Sequence, residues 1–178
     1  MRAFLRRNFL VAALLSLAAP LVAQSPNLPK ATEIVEARAV VSPTLVPRGR
    51  TFEIAVVVKI RPGFHINAHE VNLSYLIPTE VEVQPPQGLR SRGFTYPPGV
   101  LRKFRFSPNQ LSVYEGAVTF RGKFEAAANA PLGPQKLPLV LHFQGCNEEL
   151  CLPPAKITVI AEFVTAPAGT PARATQHK

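Results

Sequence analysis

The chain has 178 residues, a formal net charge of +9, two cysteines, one methionine and no aspartate. Without aspartate, EF-hand loops, aspartic dyads and Ser-His-Asp triads are excluded, so a site must draw on glutamate, histidine, cysteine or backbone groups. The basic balance speaks to association with anionic surfaces or acidic partners and not to activity. No nucleic-acid-binding module accompanies it.

Arg2, Arg6 and Arg7 precede an apolar run from Phe9 to Leu17 and a small-residue stretch ending at Leu21, Val22 and Ala23. This pattern predicts a secretory signal over residues 1–23. Its apolar part is too short for a permanent membrane span, and nothing after it resembles a second span. Arg6 to Leu10 also fits the twin-arginine signature, which leaves the general secretory route and the twin-arginine route both open. Removing the signal removes three arginines and no acid, taking the charge from +9 to +6. An exported, periplasmic location places the cysteines where disulfides persist.

Residues 24–32, polar and punctuated by proline, predict a flexible lead-in. A first strand is expected over 33–41. Phe52, Ile54, Val56, Val58 and Ile60 then alternate with Glu53, Ala55, Val57 and Lys59, a period of two that predicts a central strand. After the turn at Arg61, Pro62 and Gly63, short strands are expected over 72–76 and 80–83, broken by Pro78. His65 and His69 have a spacing that suits one face of a helix, but the segment has no helical pattern. They are read as ordinary loop or hydrogen-bonding histidines, and no metal site is expected there.

Residues 84–101 are rich in proline and glycine and predict a long loop, a kind of segment that often carries function. It holds Phe94 and Tyr96 beside Arg90 and Arg92. Further strands are expected over 102–106, 117–126, 136–145 and 156–164, with a turn at 129–135. Leu137, Leu139, Leu141 and Phe143 should face inward and His142 outward. Residues 165–178 predict a disordered tail. Residues 33–164 thus read as one all-β domain, an immunoglobulin-like antiparallel β-sandwich of eight or nine short strands.

Cys146 and Cys151 sit at the two feet of a tight loop between strands. Residues facing each other across an antiparallel pair have Cα atoms about 4.5–5.5 Å apart, which suits a disulfide. Closing so short a loop stabilises by only about 2 kcal/mol. That favours a redox role, with a structural clip and a metal site as alternatives. Two cysteines are an incomplete metal set, and the only methionine is the initiator, so no metal or other cofactor is expected. Glu148 and Glu149 place negative charge beside the sulfurs, the reverse of the usual setting of a reactive thiol.

The segments FQGCNEELCLPPAKITV, FHINAHEVNLSYLIPTEVEV and SPNQLSVYEGAVTF resemble the N-terminal periplasmic domain of the thiol:disulfide interchange protein DsbD. That resemblance implies an immunoglobulin-like domain whose redox pair is Cys146 and Cys151, with no cofactor. It implies a thioredoxin-like or membrane-bound electron donor and oxidised periplasmic thiol proteins as acceptors. It also implies a cap loop with an aromatic shield, for which Phe94 and then Tyr96 are the candidates. The familiar domain has five residues between its cysteines and this chain has four. Its membrane helices and thioredoxin domain have no counterpart here, so the donor is expected in trans. The competing expectation is a non-catalytic exported binding module in which the disulfide is structural.

Overall fold

The computed structural model describes residues 28–171. The predicted signal, residues 24–27 of the lead-in and residues 172–178 of the predicted tail lie outside them. Within the described residues, a single 3-10 turn, Ala31–Glu33, precedes twelve strands. These are β1 (Val35–Ser42), β2 (Leu45–Pro47), β3 (Thr51–Ile60), β4 (His65–Asn67), β5 (Glu80–Val83) and β6 (Leu89–Thr95). There follow β7 (Val100–Lys103), β8 (Gln110–Tyr114), β9 (Ala117–Ala126), β10 (Gly133–Phe143), β11 (Gly145–Cys146) and β12 (Ala155–Ala166).

They form three sheets, in the orders β1-β3-β9-β6, β2-β12-β10-β5 and β11-β4-β8-β7. The strict alternation of β3 buries Phe52, Ile54, Val56, Val58 and Ile60. On β10 the same rule buries Leu137, Leu139, Leu141 and Phe143. Phe52 of the first sheet lies 4.9 Å from Phe163 of the second, ring centre to ring centre. The two inner faces therefore meet as a sandwich around one apolar core. The all-β, immunoglobulin-like class expected from the sequence is the one observed. One pairing departs from antiparallel, since β2 runs parallel to the end of β12.

The third sheet has two differently employed faces. Ile66 and Tyr114, opposite each other on β4 and β8, belong to the main core. Leu111 and Val113, alternating with them on β8, join Leu76 and Phe104 in a separate small cluster. This sheet was largely unforeseen. Residues 72–76 are turns, not the expected strand: Leu76 N–H bonds Leu73 O at 3.1 Å. There the Asn72 side chain takes over the pairing, donating to Gln110 O at 2.8 Å and accepting from Ser112 N–H at 3.0 Å.

The expected loop over 84–101 also needs correction. It contains β6, an edge strand of the first sheet, paired with β9 around a register shift between Ser91 and Phe94. Gly93, at φ 86°, supplies the left-handed residue that such a bulge requires. The expected strand at 102–106 ends at Lys103, because the chain turns there and Ser107 N–H bonds Phe104 O at 3.3 Å. At the far end, β12 reaches Ala166, with Thr165 and Ala166 both buried, so the predicted tail begins inside a strand.

Leu139 is fully buried at the centre of the second sheet, whereas Ile160 on β12 is 45% exposed. Leu139→Ala is expected to cost about 2–5 kcal/mol, and Ile160→Thr about 0.5 kcal/mol or less. Urea denaturation midpoints of the two variants check both values.

Candidate functional site

The long hairpin between β10 and β12 carries the cysteines. Its pairing ends at Phe143 opposite Ala155, and the intervening residues leave the second sheet for the third. Gly145 and Cys146 form β11 by pairing with Ile66 and His65 of β4. Gly145 lies close against the core, since a Cβ there would stand 2.3 Å from Ile34 Cδ1 and displace that methyl group. The strand bearing Cys146 is thereby pressed against the main core.

The loop beyond is built by Asn147. Its Oδ1 accepts the N–H groups of Glu149 and Leu150, each at 2.9 Å, and its own N–H bonds Leu150 O at 2.9 Å. This is a side-chain-closed turn of the kind asparagine favours. Leu152 N–H then bonds Gly145 O at 2.8 Å. Gln144 ties the base of the hairpin to β4, since its Oε1 lies 3.4 Å from Asn67 Nδ2. Asn147 was not foreseen as the builder of this loop. An Asn directly after the first cysteine of a tight loop was the available signal.

Cys146 and Cys151 are joined, with S–S 2.05 Å and χ3 98°. Their Cα atoms are 3.9 Å apart, closer than facing strand residues ordinarily stand. The two cysteines are not equivalent. Cys146 is fully buried, whereas Cys151 is exposed.

Cys146 stands directly opposite His65, and directly opposed residues send their side chains out of the same face. His65, read from sequence as an ordinary histidine, is 2% exposed and stacks on Phe104 at 3.9 Å between ring centres. Its Nε2 is buried without a hydrogen-bond partner. Burial, reinforced by the Arg102 guanidinium, lowers its pKa from 6.5 to about 4. Phe106 lies to the side of this pair, its ring centre 5.6 Å from that of Phe104 and 6.4 Å from that of His65, and is 37% exposed. A groove of about 390 Å³ runs past this group, lined among others by Arg61, Phe64, His65, Arg102, Glu115 and Glu148. Arg102 Nε lies 3.6 Å from Glu115 Oε1.

His69 sits elsewhere. Its Nδ1 is 3.0 Å from Thr79 O, and its ring stacks on Tyr96 at 3.7 Å. Among the described residues, no three His, Cys, Asp or Glu side chains gather as a metal site would need, and no helix is long and apolar enough to cross a membrane. The rings of Phe94 and Tyr96 pack against the main core. Phe94 meets Phe124 edge-on at 5.9 Å, and the Tyr96 hydroxyl accepts Val81 N–H at 2.9 Å. Arg90 and Arg92 both pair with Glu125. His142 bonds Glu82 at 2.9 Å across the outer face of β10 and β5.

The depressed His65 pKa has a definite sign. Between pH 6.5 and 4 the unfolded chain binds a proton at this histidine that the folded, oxidised chain excludes. Stability is therefore complete above about pH 6.5 and falls as pH drops towards 4, by up to about 3 kcal/mol. His65→Phe, which keeps the stack on Phe104, should remove that part of the acid sensitivity in denaturation curves recorded across this range.

Comparison with known proteins agrees with this construction. The family model for the N-terminal part of the thiol:disulfide interchange protein DsbD matches residues 31–162. Among solved structures, the N-terminal periplasmic domain of ScsB from Proteus mirabilis superposes with a TM-score of 0.50 at 13% identity, covering 75% of this chain and 48% of that one. The chain thus spans about half of that relative, and the likeness is one of fold. A family 123 glycoside hydrolase from Clostridium perfringens gives a TM-score of only 0.31 at 9% identity, covering 75% of this chain and 28% of that one. No curated protein matches the sequence. With the family model covering most of the chain, and a closed cysteine pair in the hairpin that the resemblance singled out, this protein belongs to the DsbD N-terminal domain family.

Proposed function

We propose that this domain works in the periplasm as a thiol-disulfide exchange module. It relays reducing equivalents through Cys146 and Cys151, from a thioredoxin-like or membrane-bound donor to oxidised periplasmic proteins. The observation that carries the reading is the asymmetry of the pair: Cys151 is an exposed residue and Cys146 a fully buried one. Exchange requires an accessible sulfur to be attacked and a second one held in reserve to leave and return.

The donor thiolate attacks Cys151 Sγ, forming a donor–Cys151 disulfide and expelling Cys146 as a thiolate. The donor's second thiolate then attacks the donor sulfur of that mixed bond, releasing Cys151 and leaving the donor oxidised. In the outward half, Cys151 attacks an acceptor disulfide and Cys146 resolves the mixed species. Two electrons pass in each half. The Asn147 turn and the Leu152 to Gly145 hydrogen bond do not involve sulfur, so the hairpin keeps its shape as the bond opens. Phe106, the half-exposed ring beside His65 and Phe104, is the ring we assign to screening the pair from small thiols, since His65 stands opposite Cys146.

Cys146→Ser should therefore trap, through attack by its Cys151 thiolate, a mixed disulfide with a single-cysteine thioredoxin-like donor whose thiol has been activated as its 2-nitro-5-thiobenzoate disulfide, the aromatic thiol being released. Cys151→Ser, which leaves only the buried sulfur, should trap at least about tenfold less. Non-reducing gels of the two mixtures read the difference, and equal yields would contradict attack at Cys151. Phe106→Ala should raise the rate of reduction by dithiothreitol severalfold.

A further inference from the structure

In the oxidised protein one ring nitrogen of His65 is left without a partner. Its Nε2 is buried and unpartnered while its ring is fixed against Phe104. Leaving such a group unsatisfied costs about 1–3 kcal/mol, and a group left so in a well-packed site calls for a reason. The register supplies one. Cys146 faces His65 across β4 and β11, with Cβ atoms of such pairs about 4.5–5.5 Å apart. Opening the disulfide puts a negative sulfur into a site from which water is excluded, and an isolated charge there is strongly disfavoured.

We propose that His65 is the partner of the leaving sulfur, and that the reduced domain holds Cys146 as a thiolate paired with a protonated His65. The inference rests on the exchange reaction above. Attack on Cys151 forms one S–S bond and breaks another, and the electron pair of the broken bond departs on Cys146 Sγ. A proton then enters from solvent to His65, so that full reduction takes up two electrons and two protons, one proton on Cys151 and one on the imidazole. No further reactant is needed beyond the donor dithiol.

The charged groups around His65 are Arg102 from β7, Arg61 from the turn after β3, Glu115 after β8 and Glu148 from the cysteine loop. Arg105, next to Phe104 in the chain, is exposed. In the disulfide state, burial and Arg102 keep the imidazole neutral. A thiolate at Cys146 opposes both effects, and an opposite charge at such range raises a pKa by about 1–3 units. Sulfur and ring then titrate as a pair.

The test is a pH titration of the histidine ring protons by NMR, on the disulfide form and on the form reduced with dithiothreitol. The His65 midpoint should rise by about one unit or more on reduction. The ultraviolet absorbance of a thiolate should appear in the reduced protein well below neutral pH and be lost in His65→Gln. An unmoved His65 midpoint, or thiolate absorbance unchanged in His65→Gln, overturns the proposal. Because the wild-type titration needs neither a variant nor a biological donor, it reads the pair even if no protein partner ever reduces the domain.

Discussion

Two residues of pairing, Gly145 with Ile66 and Cys146 with His65, take the first cysteine out of the long hairpin and into a different sheet. Everything chemical in the molecule depends on that transfer. Gly145 lets β11 lie against Ile34, so the next residue must point to the other face, where His65 and Phe104 wait. One sulfur is thereby buried in a fixed environment. The other cysteine, at the end of an asparagine-closed turn, is delivered to the surface.

The energies are consistent with a bond that can open. Closing a loop this short restricts the unfolded chain little, by about 2 kcal/mol, while the sandwich beneath is held by fully buried side chains such as Ile54, Phe120, Phe124 and Leu139. Each of these contributes about 1.5–3 kcal/mol by transfer from water. Stability thus resides in the first two sheets, and the third, with its small cluster of Leu76, Phe104, Leu111 and Val113, presents the site. Loss of the disulfide removes a minor share of the whole, which is what a domain that cycles between two redox states requires.

How far the sequence could be read followed from the same division. β3 and β10 were legible because one face of each is dry and the other wet, which writes a period of two into the residues. The cysteine hairpin was legible because its spacing is chemical. The third sheet was not, because its strands are short and β4 is buried at all three positions, which erases alternation. β6 was hidden by arginines and Gly93, residues tolerated there because β9 supplies the pairing on one side only. His65 was passed over because its significance comes from register, and register across 81 positions of chain separation, from His65 to Cys146, cannot be read from local pattern. His65, Ile66 and Asn67, directly after a proline-glycine turn, were the faint signal of that strand.

The central claim is that the Cys146–Cys151 bond is a working redox couple, and its reduction potential tests this most directly. Alkylation mass shifts across a dithiothreitol series would measure it on the folded protein. A value of roughly −120 to −270 mV, the range of known exchange proteins, is what a relay requires. A value well below about −300 mV would make the bond a structural clip and contradict the account.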